Sequence, residues 1–518
     1  MAVFTGRFEY VTRSTVTINA ARSRSLACES VRRWASQLDI PWRLTLPLGC
    51  DESFIMSPAL QDPPALRNPA ILSLIGNTPL VEISRVDTGC CKLFVKLENQ
   101  NPTGSIKDRM ALAMVEAAER DGKLKPGGTI VEATAGNTGL GLALVAAAKG
   151  YQLILVIPDK MSQEKILHVR ALGAKAVVTR SDVTKGHPEY YQDLAAKIAA
   201  ETPGAFYVNQ FENPANPLAH ETTTGPEIWE QMGHDVDAIV VGVGSSGTLT
   251  GLSRYFARVQ PECEIVLADP EGSVLTGYIR EKHIGKAGSW LVEGIGEDFL
   301  PEIADLSRVR TAYSIPDGES FNAAREFLRK EGIFGGSSSG TLFAASLHYC
   351  REQKTPKRVV TFACDSGGKY LSKMYNDVWM ADQGCTDRKV HGDLRDVVSR
   401  RFQDGTVVIV GPSDTLLTAF NRMRIADVSQ VPVLEGEHLI GLLDESDLLH
   451  RVQDGGGSFR DTVRTAMTDR LETLQAGEPL AAVREILEAG KVAIVMAGDE
   501  FVGLITRIDL LNYLRRKV

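Results

Sequence analysis

The chain has no run approaching the ~18 consecutive apolar residues that a membrane helix needs. Cysteine is scarce, eight in 518 residues and none in a CxxC spacing. That excludes a small disulfide scaffold and points to a reducing, cytoplasmic setting, with each thiol read as a small buried hydrophobe. Histidine is missing from the first 167 residues: the first of nine is His168. No basic excess exists; the net charge is −8 with both signs interspersed, which argues against a nucleic-acid or anionic-membrane surface. What remains is ordinary for a globular protein, 43% apolar and 24% charged, and the length suggests about three domains.

The beginning of the chain differs from the rest. Residues 1–55 carry Arg7, Arg13, Arg22, Arg24, Arg32, Arg33 and Arg43 with much Ser and Thr, and no apolar core of a secretory signal. One reading is an organelle-targeting segment; the other is an extension upstream of a true start at Met56. Acidic residues among the arginines and a poor amphipathic period favour the second. Residues 1–68 are accordingly expected to lie outside the folded core, as a disordered stretch or a mis-assigned start.

From about Ala70 to Gln383 short apolar runs alternate with helical patterns. Leu93–Leu97, Thr129–Ala133, Leu153–Ile157, Ala176–Thr179, Ala238–Val243, Glu264–Ala268 and Arg358–Phe362 read as strands. Ile106–Arg120, Leu140–Lys149, Glu164–Leu172 and Leu249–Val259 read as helices. Continuous Val/Ile/Leu strands between helices predict an α/β fold with a mostly parallel sheet covered on both faces. Ligands of such sheets sit at the carboxyl ends of the strands, so the loops there are the place to look.

After about Thr386 an internal repeat appears. Val431-Pro-Val followed by Ile440-Gly-Leu-Leu-Asp444-Glu-Ser-Asp447-Leu-Leu recurs 62 residues later as Ala493-Ile-Val and Val502-Gly-Leu-Ile-Thr506-Arg-Ile-Asp509-Leu-Leu. Upstream, Leu394-Arg-Asp recurs as Phe459-Arg-Asp. Each copy is expected as helix, strand, helix, two strands, helix, over residues 386–452 and 459–518, with the Gly-rich Gln453–Ser458 as hinge.

Four loops in the first region carry chemistry. In Asn101-Pro-Thr-Gly-Ser-Ile-Lys107-Asp-Arg a lysine opens a helix, where the partial positive charge of the helix end disfavours an ammonium. A lysine pushed toward neutrality suits an imine to an aldehyde cofactor. Thr134-Ala-Gly-Asn137-Thr-Gly139 joins a strand to a helix, and its small residues bring backbone N–H groups close to an anion, either a phosphate or a substrate carboxylate. Gly242-Val-Gly244-Ser245-Ser246-Gly247-Thr248 is a nest of donors for a phosphate; it lacks the GK[ST] ending of a nucleotide loop, so a small phosphorylated cofactor fits better than a nucleoside triphosphate. Gly335-Gly-Ser337-Ser-Ser-Gly340 precedes another helix and by itself is the least specific of the four.

With these loops in this order, residues Pro69 to Asp382 resemble fold-type II pyridoxal-phosphate (PLP) enzymes of the cysteine synthase/cystathionine β-synthase family. Ile75-Gly-Asn-Thr-Pro79, Ser105-Ile-Lys107-Asp-Arg, Gly136-Asn137-Thr138-Gly139, Gly244–Thr248, Gln210-Phe-Glu-Asn-Pro-Ala-Asn-Pro217 and Glu293-Gly-Ile-Gly296 match in sequence order. The resemblance implies a two-subdomain, tryptophan-synthase-β-like parallel-sheet core over residues 69–383. It implies that Lys107 holds the cofactor as an imine and that Asn137 faces its ring hydroxyl. Gly244, Ser245, Ser246, Gly247 and Thr248 would cradle its phosphate, and Ser337 would face the pyridine nitrogen. Thr134, Gly136, Asn137 and Thr138 would take the substrate carboxylate with Gln210 close by. The repeated tail resembles an α+β pair of CBS domains, a module that often binds adenosine-containing ligands such as S-adenosylmethionine through an [S/T]-x-x-D step. The second copy keeps that step as Thr506 and Asp509, while the first has Asp444 with Asp447, so a stronger site near the second copy is expected beside the alternative of a purely structural or dimerising module.

The implied activity is replacement of the β-substituent of a serine-like amino acid by a sulfur nucleophile, through a homodimer of catalytic cores. Serine with homocysteine gives cystathionine; O-acetylserine with sulfide or homocysteine is the alternative. The tail favours the first, whereas Phe211, Glu297 and Ala135 depart from residues common in animal cystathionine synthases. A serine/threonine dehydratase and a catalytically silent adenosyl-ligand sensor are the other classes that share these features. A haem is not expected, because Cys28 and Cys50 have no histidine near them, and no metal is.

Overall fold

A computed structural model describes residues 69–515, except 135, 160–162, 184–185, 387 and 455, together with the short strands Trp42–Leu44 and Met56–Pro58. Those two strands form an antiparallel ribbon, Trp42 opposite Pro58. The other residues before 69, Cys28 and Cys50 among them, lie outside the described residues, as does Ala135; so the readings of the leader and of a haem site fall there. The ribbon lies in a unit that ends at Ala70, and the elements named below lie in a second unit, residues 71–518. No helix among the described residues is long and apolar enough to cross a membrane.

Two sheets carry the first part of the second unit. Its strands are β1 (Leu80–Glu82), β2 (Lys92–Lys96), β3 (Thr129–Ala133), β4 (Gln152–Pro158), β5 (Lys175–Thr179), β6 (Phe206–Tyr207), β7 (Ala238–Gly242), β8 (Glu264–Pro270), β9 (Val309–Ile315) and β10 (Arg358–Phe362). One sheet runs β9-β8-β7-β10-β2-β1 and the other β5-β4-β3-β6. All pairings are parallel except the edge strand β1, which runs against β2 with Val81 opposite Val95. The central β7 explains its position by composition: Ala238, Ile239 and Val240 are entirely buried, as a strand covered on both faces must be.

The helices that frame the site are α1 (Lys107–Arg120), α2 (Asn137–Lys149), α3 (Gln163–Ala171), α4 (Tyr191–Glu201), α5 (Ala215–Ala219), α6 (Gly247–Val259), α7 (Asp317–Glu331) and α8 (Ser337–Glu352). Three begin earlier than the apolar pattern predicts. Asn137 and Thr138 are the first turn of α2, Gly247 and Thr248 that of α6, and the Ser337–Gly340 stretch is helical rather than a loop. Gly, Ser and Thr are poor helix formers, but these turns are buried and tertiary packing overrides propensity. Gly340 is one position where packing demands the residue: a Cβ there would overlap the Ser320 carbonyl, where α8 closes on α7. The Phe327 and Phe343 rings stack across that contact, 4.0 Å between centroids.

The tail contains the hairpins β11 (Gln430–Glu435)/β12 (His438–Asp444) and β14 (Ala493–Ala497)/β15 (Glu500–Ile505), with β13 (Thr473–Gln475) beside β14. Its helices include α9 (Leu416–Ala426), α10 (Glu445–Leu449), α11 (Leu480–Glu488) and α12 (Arg507–Arg515). The repeat is carried into detail: both hairpins slip register at the same place, between Val433 and Leu434 and between Val495 and Met496. Two expectations fail. The first copy's opening strand is only a bridge from Val410 to Val433. The opening turns are Leu394–Asp396 and Val463–Thr465, so Phe459-Arg-Asp is not the counterpart of Leu394-Arg-Asp. The copies are also interlocked. Leu394, Val397 and Val398 pack with Val483, Val495 and Ile505 of the second copy, whereas Val463 packs with Val431, Val433 and Leu443 of the first. The last helix reaches the catalytic region, where Arg515 donates to Gln383 Oε1 at 3.1 Å.

Candidate active site

Lys107 is the first residue of α1, its N–H held by Ser105 Oγ at 3.1 Å. The preceding loop is fastened on both sides. The Ile106 N–H donates to the Cys364 carbonyl (2.9 Å), and the Thr103 N–H to Asp108 Oδ2 (2.7 Å). Under it lies a buried ion network: the Arg109 guanidinium meets Glu98 at 2.8 Å and Glu227 at 2.7 Å, and Lys96 meets Glu227 at 2.8 Å. Burial pulls the Lys107 ammonium below its ordinary range; Cys364, Asp365 and Glu297 oppose this more weakly. The net direction is that required of an amine that forms an imine and moves a proton.

The second loop follows β3. Asn137 is spoken for on both sides of its amide: it donates to Asp365 Oδ2 (2.7 Å) and accepts from Lys369 (2.6 Å). Thr138 Oγ1 donates to Gln210 Oε1 at 2.8 Å, and Gln210 Nε2 in turn donates to Glu132 at 3.2 Å. The Thr134 hydroxyl accepts the Gly136 N–H at 3.3 Å.

The third loop is built for close approach. Ser246 sits in the left-handed region at φ 71°, immediately before α6. A Cβ on Gly244 would fall 2.6 Å from the Gly294 carbonyl, and one on Gly247 would overlap the Asn216 amide. Asn216 donates to Ser245 Oγ at 2.9 Å, yet its own buried Oδ1 has no partner among the described residues. Thr248 Oγ1 lies 3.3 Å from His220 Nε2, and His220 Nδ1 lies 2.9 Å from Thr224. Burial first, then the Arg109 and Lys107 cations, hold His220 well below its ordinary pKa, so it supports the loop as a neutral ring. A cradle of small residues at a helix start, with side-chain donors, fits a phosphate monoester.

The fourth loop brings Ser337, whose Oγ accepts the Glu293 N–H at 3.0 Å. The Glu293 carboxylate bridges Lys165 and Lys373, the latter at 2.6 Å. Burial pushes its pKa up, but these two cations more than offset that and leave it low. Beside this loop Asp365 accepts from Tyr370 OH at 2.7 Å as well as from Asn137, and a Cβ on Gly336 would overlap its other oxygen.

The structure thus gathers Lys107, Asn137, Thr138, Gln210, the Gly244–Thr248 loop and Ser337 at the carboxyl ends of β2, β3, β7 and β10. Motif reading of the sequence misses Glu132, Asp365, Lys369 and His220, and it includes Asn216 in the Gln210–Pro217 stretch without giving it a role. Only Glu132 leaves a signal there, as one acid inside an apolar strand. The tail residues stand apart. Thr506 donates its N–H (2.7 Å) and hydroxyl (2.5 Å) to Asp509, and Asp444 and Asp447 form a reciprocal capping box at the start of α10. Both four-residue steps thus brace the first turn of a helix.

Comparison with known proteins agrees with this geometry. The family described as pyridoxal-phosphate dependent enzyme matches residues 71–365, and the CBS domain matches residues 394–454 and 463–516. The chain is 33% identical over 461 residues to a protein named cystathionine beta-synthase from Apis mellifera, covering 86% of this chain and 91% of that one. A Saccharomyces cerevisiae protein of the same name is 30% identical over 496 residues, covering 86% and 97%. Among solved structures, a hydrogen sulfide-producing enzyme from Fusobacterium nucleatum matches with TM-score 0.55 and 35% identity over 58% of this chain and 99% of its own. An O-ureido-L-serine synthase matches with TM-score 0.56 and 32% identity, over 63% of this chain and 98% of that one. The chain belongs to the fold-type II pyridoxal-phosphate-dependent enzymes of the cystathionine β-synthase/cysteine synthase family, with a tandem CBS-domain tail.

Proposed function

We propose that this enzyme is a carbon–oxygen lyase that condenses L-serine with L-homocysteine to cystathionine and water, a β-replacement in transsulfuration. What carries the reading is likeness over 86% of the chain to proteins named cystathionine beta-synthase, where the two solved structures match only 58% and 63% of it.

Bound pyridoxal phosphate supplies the electron sink that makes loss of the α-proton feasible. Lys107 would hold that group, the Gly244–Thr248 loop its phosphate, Asn137 its ring hydroxyl and Ser337 its pyridine nitrogen. The neutral-leaning Lys107 amine would serve as the base that takes the α-proton and later returns it. Thr134, Gly136 and Thr138 bind the substrate carboxylate at the amino end of α2, where the helix dipole favours an anion. A serine hydroxyl facing the pyridine nitrogen does not enforce ring protonation, which favours elimination of the β-group over transamination.

A second reading has its own support. Phe211, packed against Phe299 at 5.5 Å, and Glu297 are not the tyrosines common in animal cystathionine synthases, and Phe211 is shared with cysteine synthases, which keeps O-acetylserine with sulfide or homocysteine as the alternative. Steady-state assays with serine, with and without homocysteine, beside O-acetylserine with sulfide decide between them. The first reading expects turnover of serine only when homocysteine is present; pyruvate and ammonia from serine alone would indicate a dehydratase instead.

For the tail we propose an adenosine-containing ligand such as S-adenosylmethionine at Thr506 and Asp509, with Asp447 marking the weaker counterpart, in a homodimer. The free thiols among the described residues, the exposed Cys90 included, fit a reducing compartment such as the cytoplasm.

A further inference from the structure

One buried acid takes no part in the mechanism above. Glu132 lies on β3, two residues before Thr134, and is 1% exposed. Its Oε1 accepts from Gln210 Nε2, while its Oε2 has no partner among the described residues. Gln210 Oε1 accepts from the Thr138 hydroxyl. Glu132, Gln210 and Thr138 form a three-membered relay from the buried face of the sheet to the loop assigned to the substrate carboxylate.

The chemistry of these groups fixes what the relay can do. A carboxylate only accepts, so it requires the NH2 of Gln210, whose carbonyl then consumes the Thr138 hydroxyl hydrogen. Thr138 is left with lone pairs only, which repel an incoming carboxylate. A carboxylic acid can donate instead. It then bonds the Gln210 carbonyl, the amide turns over, its NH2 donates to Thr138 Oγ1, and the Thr138 hydrogen is released to face the substrate. The acid also makes the unpartnered Oε2 less costly, because a neutral carbonyl oxygen loses less on burial than a carboxylate oxygen. We propose that Glu132 is a positioning residue that acts as a carboxylic acid and, through Gln210, sets the direction of the Thr138 hydroxyl and so the affinity for the substrate α-carboxylate. The inference rests on the assignment of Thr138 to that carboxylate.

Surroundings favour the acid form. The apolar cluster that holds Ile130 of β3 also takes in Met110 and Met114 from α1, Leu140 from α2, Leu155 from β4 and Ala215 from α5, and the polar groups in the network are the neutral side chains of Thr138, Gln210 and Asn216. Tyr207 on β6 is the titratable side chain in range, and the backbone N–H groups of Asn209 and Gln210 favour the ionised form only in part. Burial wins and lifts the Glu132 carboxyl to about 8. Below that pH the relay faces the substrate; above it the relay turns away.

The test uses the full-length enzyme with its cofactor. L-serine and, separately, O-acetylserine are titrated at pH 7 and pH 9, and binding is read from the absorbance change of the bound cofactor. Wild type, Glu132→Gln, Thr138→Val and Thr138→Ser are compared. A glutamine at 132 can always donate, so Glu132→Gln should bind as the acid form at both pH values. Between pH 7 and 9 the wild type should weaken about tenfold more than Glu132→Gln, the factor set by one group titrating near 8. Thr138→Ser should keep that extra pH dependence and Thr138→Val should lose it. Identical pH dependence in wild type and Glu132→Gln overturns the proposal, and should Glu132→Gln not fold, an unchanged profile in Thr138→Val overturns it equally. If serine gives no response at any pH while O-acetylserine follows the predicted pattern, the choice of donor fails and the relay stands. No response to either at any pH contradicts both.

Discussion

Replacing Arg109 should cost more than replacing any other single residue near Lys107 that contacts neither cofactor nor substrate. Its guanidinium holds Glu98 with two bonds of 2.8 Å and Glu227 with two of 2.7 Å. The Glu98 side chain is 0% exposed, so Arg109→Met leaves it a buried charge with side-chain hydrogen bonds from Thr78 and Asn101, at 2.7 and 2.8 Å, and Lys96 nearby as the remaining cation. Glu227 keeps Lys96. Breaking a buried pair from one side costs about 3–5 kcal/mol, because the stranded charge is not re-solvated. Adding Glu98→Gln removes that charge and should recover about half of the loss, a coupling of about 1 kcal/mol or more in a double-mutant cycle. Arg109 sits two residues beyond Lys107 on α1, so the loosened loop should also shed cofactor at lower denaturant than the wild type. Urea unfolding followed by cofactor absorbance measures both. A loss below about 1 kcal/mol for Arg109→Met, or no recovery in the double variant, would refute the argument that this network fastens the lysine loop.

Other consequences follow from the same geometry. Burial raises the Glu227 pKa, but Arg109 and Lys96 overcome this and hold it at about 2. A depressed acid contributes stability above its unfolded pKa of about 4.5 and loses it as pH falls toward 2, so acid unfolding should steepen in that window and flatten in Glu227→Gln. Gly247→Ala drives a methyl group into Asn216 and should destabilise the phosphate cradle by about 1–3 kcal/mol, read as weaker cofactor retention; unaltered retention would count against the cradle. Ser337→Asp should shift the bound-cofactor absorbance and lower β-replacement by about 10²-fold or more; unchanged turnover would remove Ser337 from its place at the pyridine nitrogen. Asp509→Ala removes the partner of the Thr506 N–H and should destabilise the last tail helix by about 0.5–2 kcal/mol while abolishing adenosyl-ligand binding in calorimetry; a preserved ligand isotherm would move the site elsewhere.

Sequence carried the core architecture because parallel strands covered on both faces are continuous apolar runs, as Ala238–Gly242 is, and because the four small-residue loops sit where strands end. Helix starts were misplaced for a physical reason. The first turns at Asn137, Gly247 and Ser337 consist of poor helix formers that tertiary packing holds in place, so apolar periodicity begins only later, at Leu140, Leu249 and Leu342. The residues that brace the site were invisible. Asp365 and Lys369 reach Asn137 from more than 200 residues away, and His220 reads as any other histidine until burial makes it neutral. The tail showed its repeat but not its interlock, since nothing in Leu394 or Val463 tells which copy each will pack against.

The assignment of Lys107 is open to the most direct test. The purified enzyme can be reduced with borohydride, which fixes any cofactor–lysine imine covalently, then digested and mapped by mass spectrometry. The pyridoxyl group is predicted on the peptide containing Lys107, and its signal should vanish when excess L-serine displaces the lysine before reduction. Labelling at Lys165, Lys369 or Lys373, which lie within the same network of loops, or no labelling at all, would contradict it.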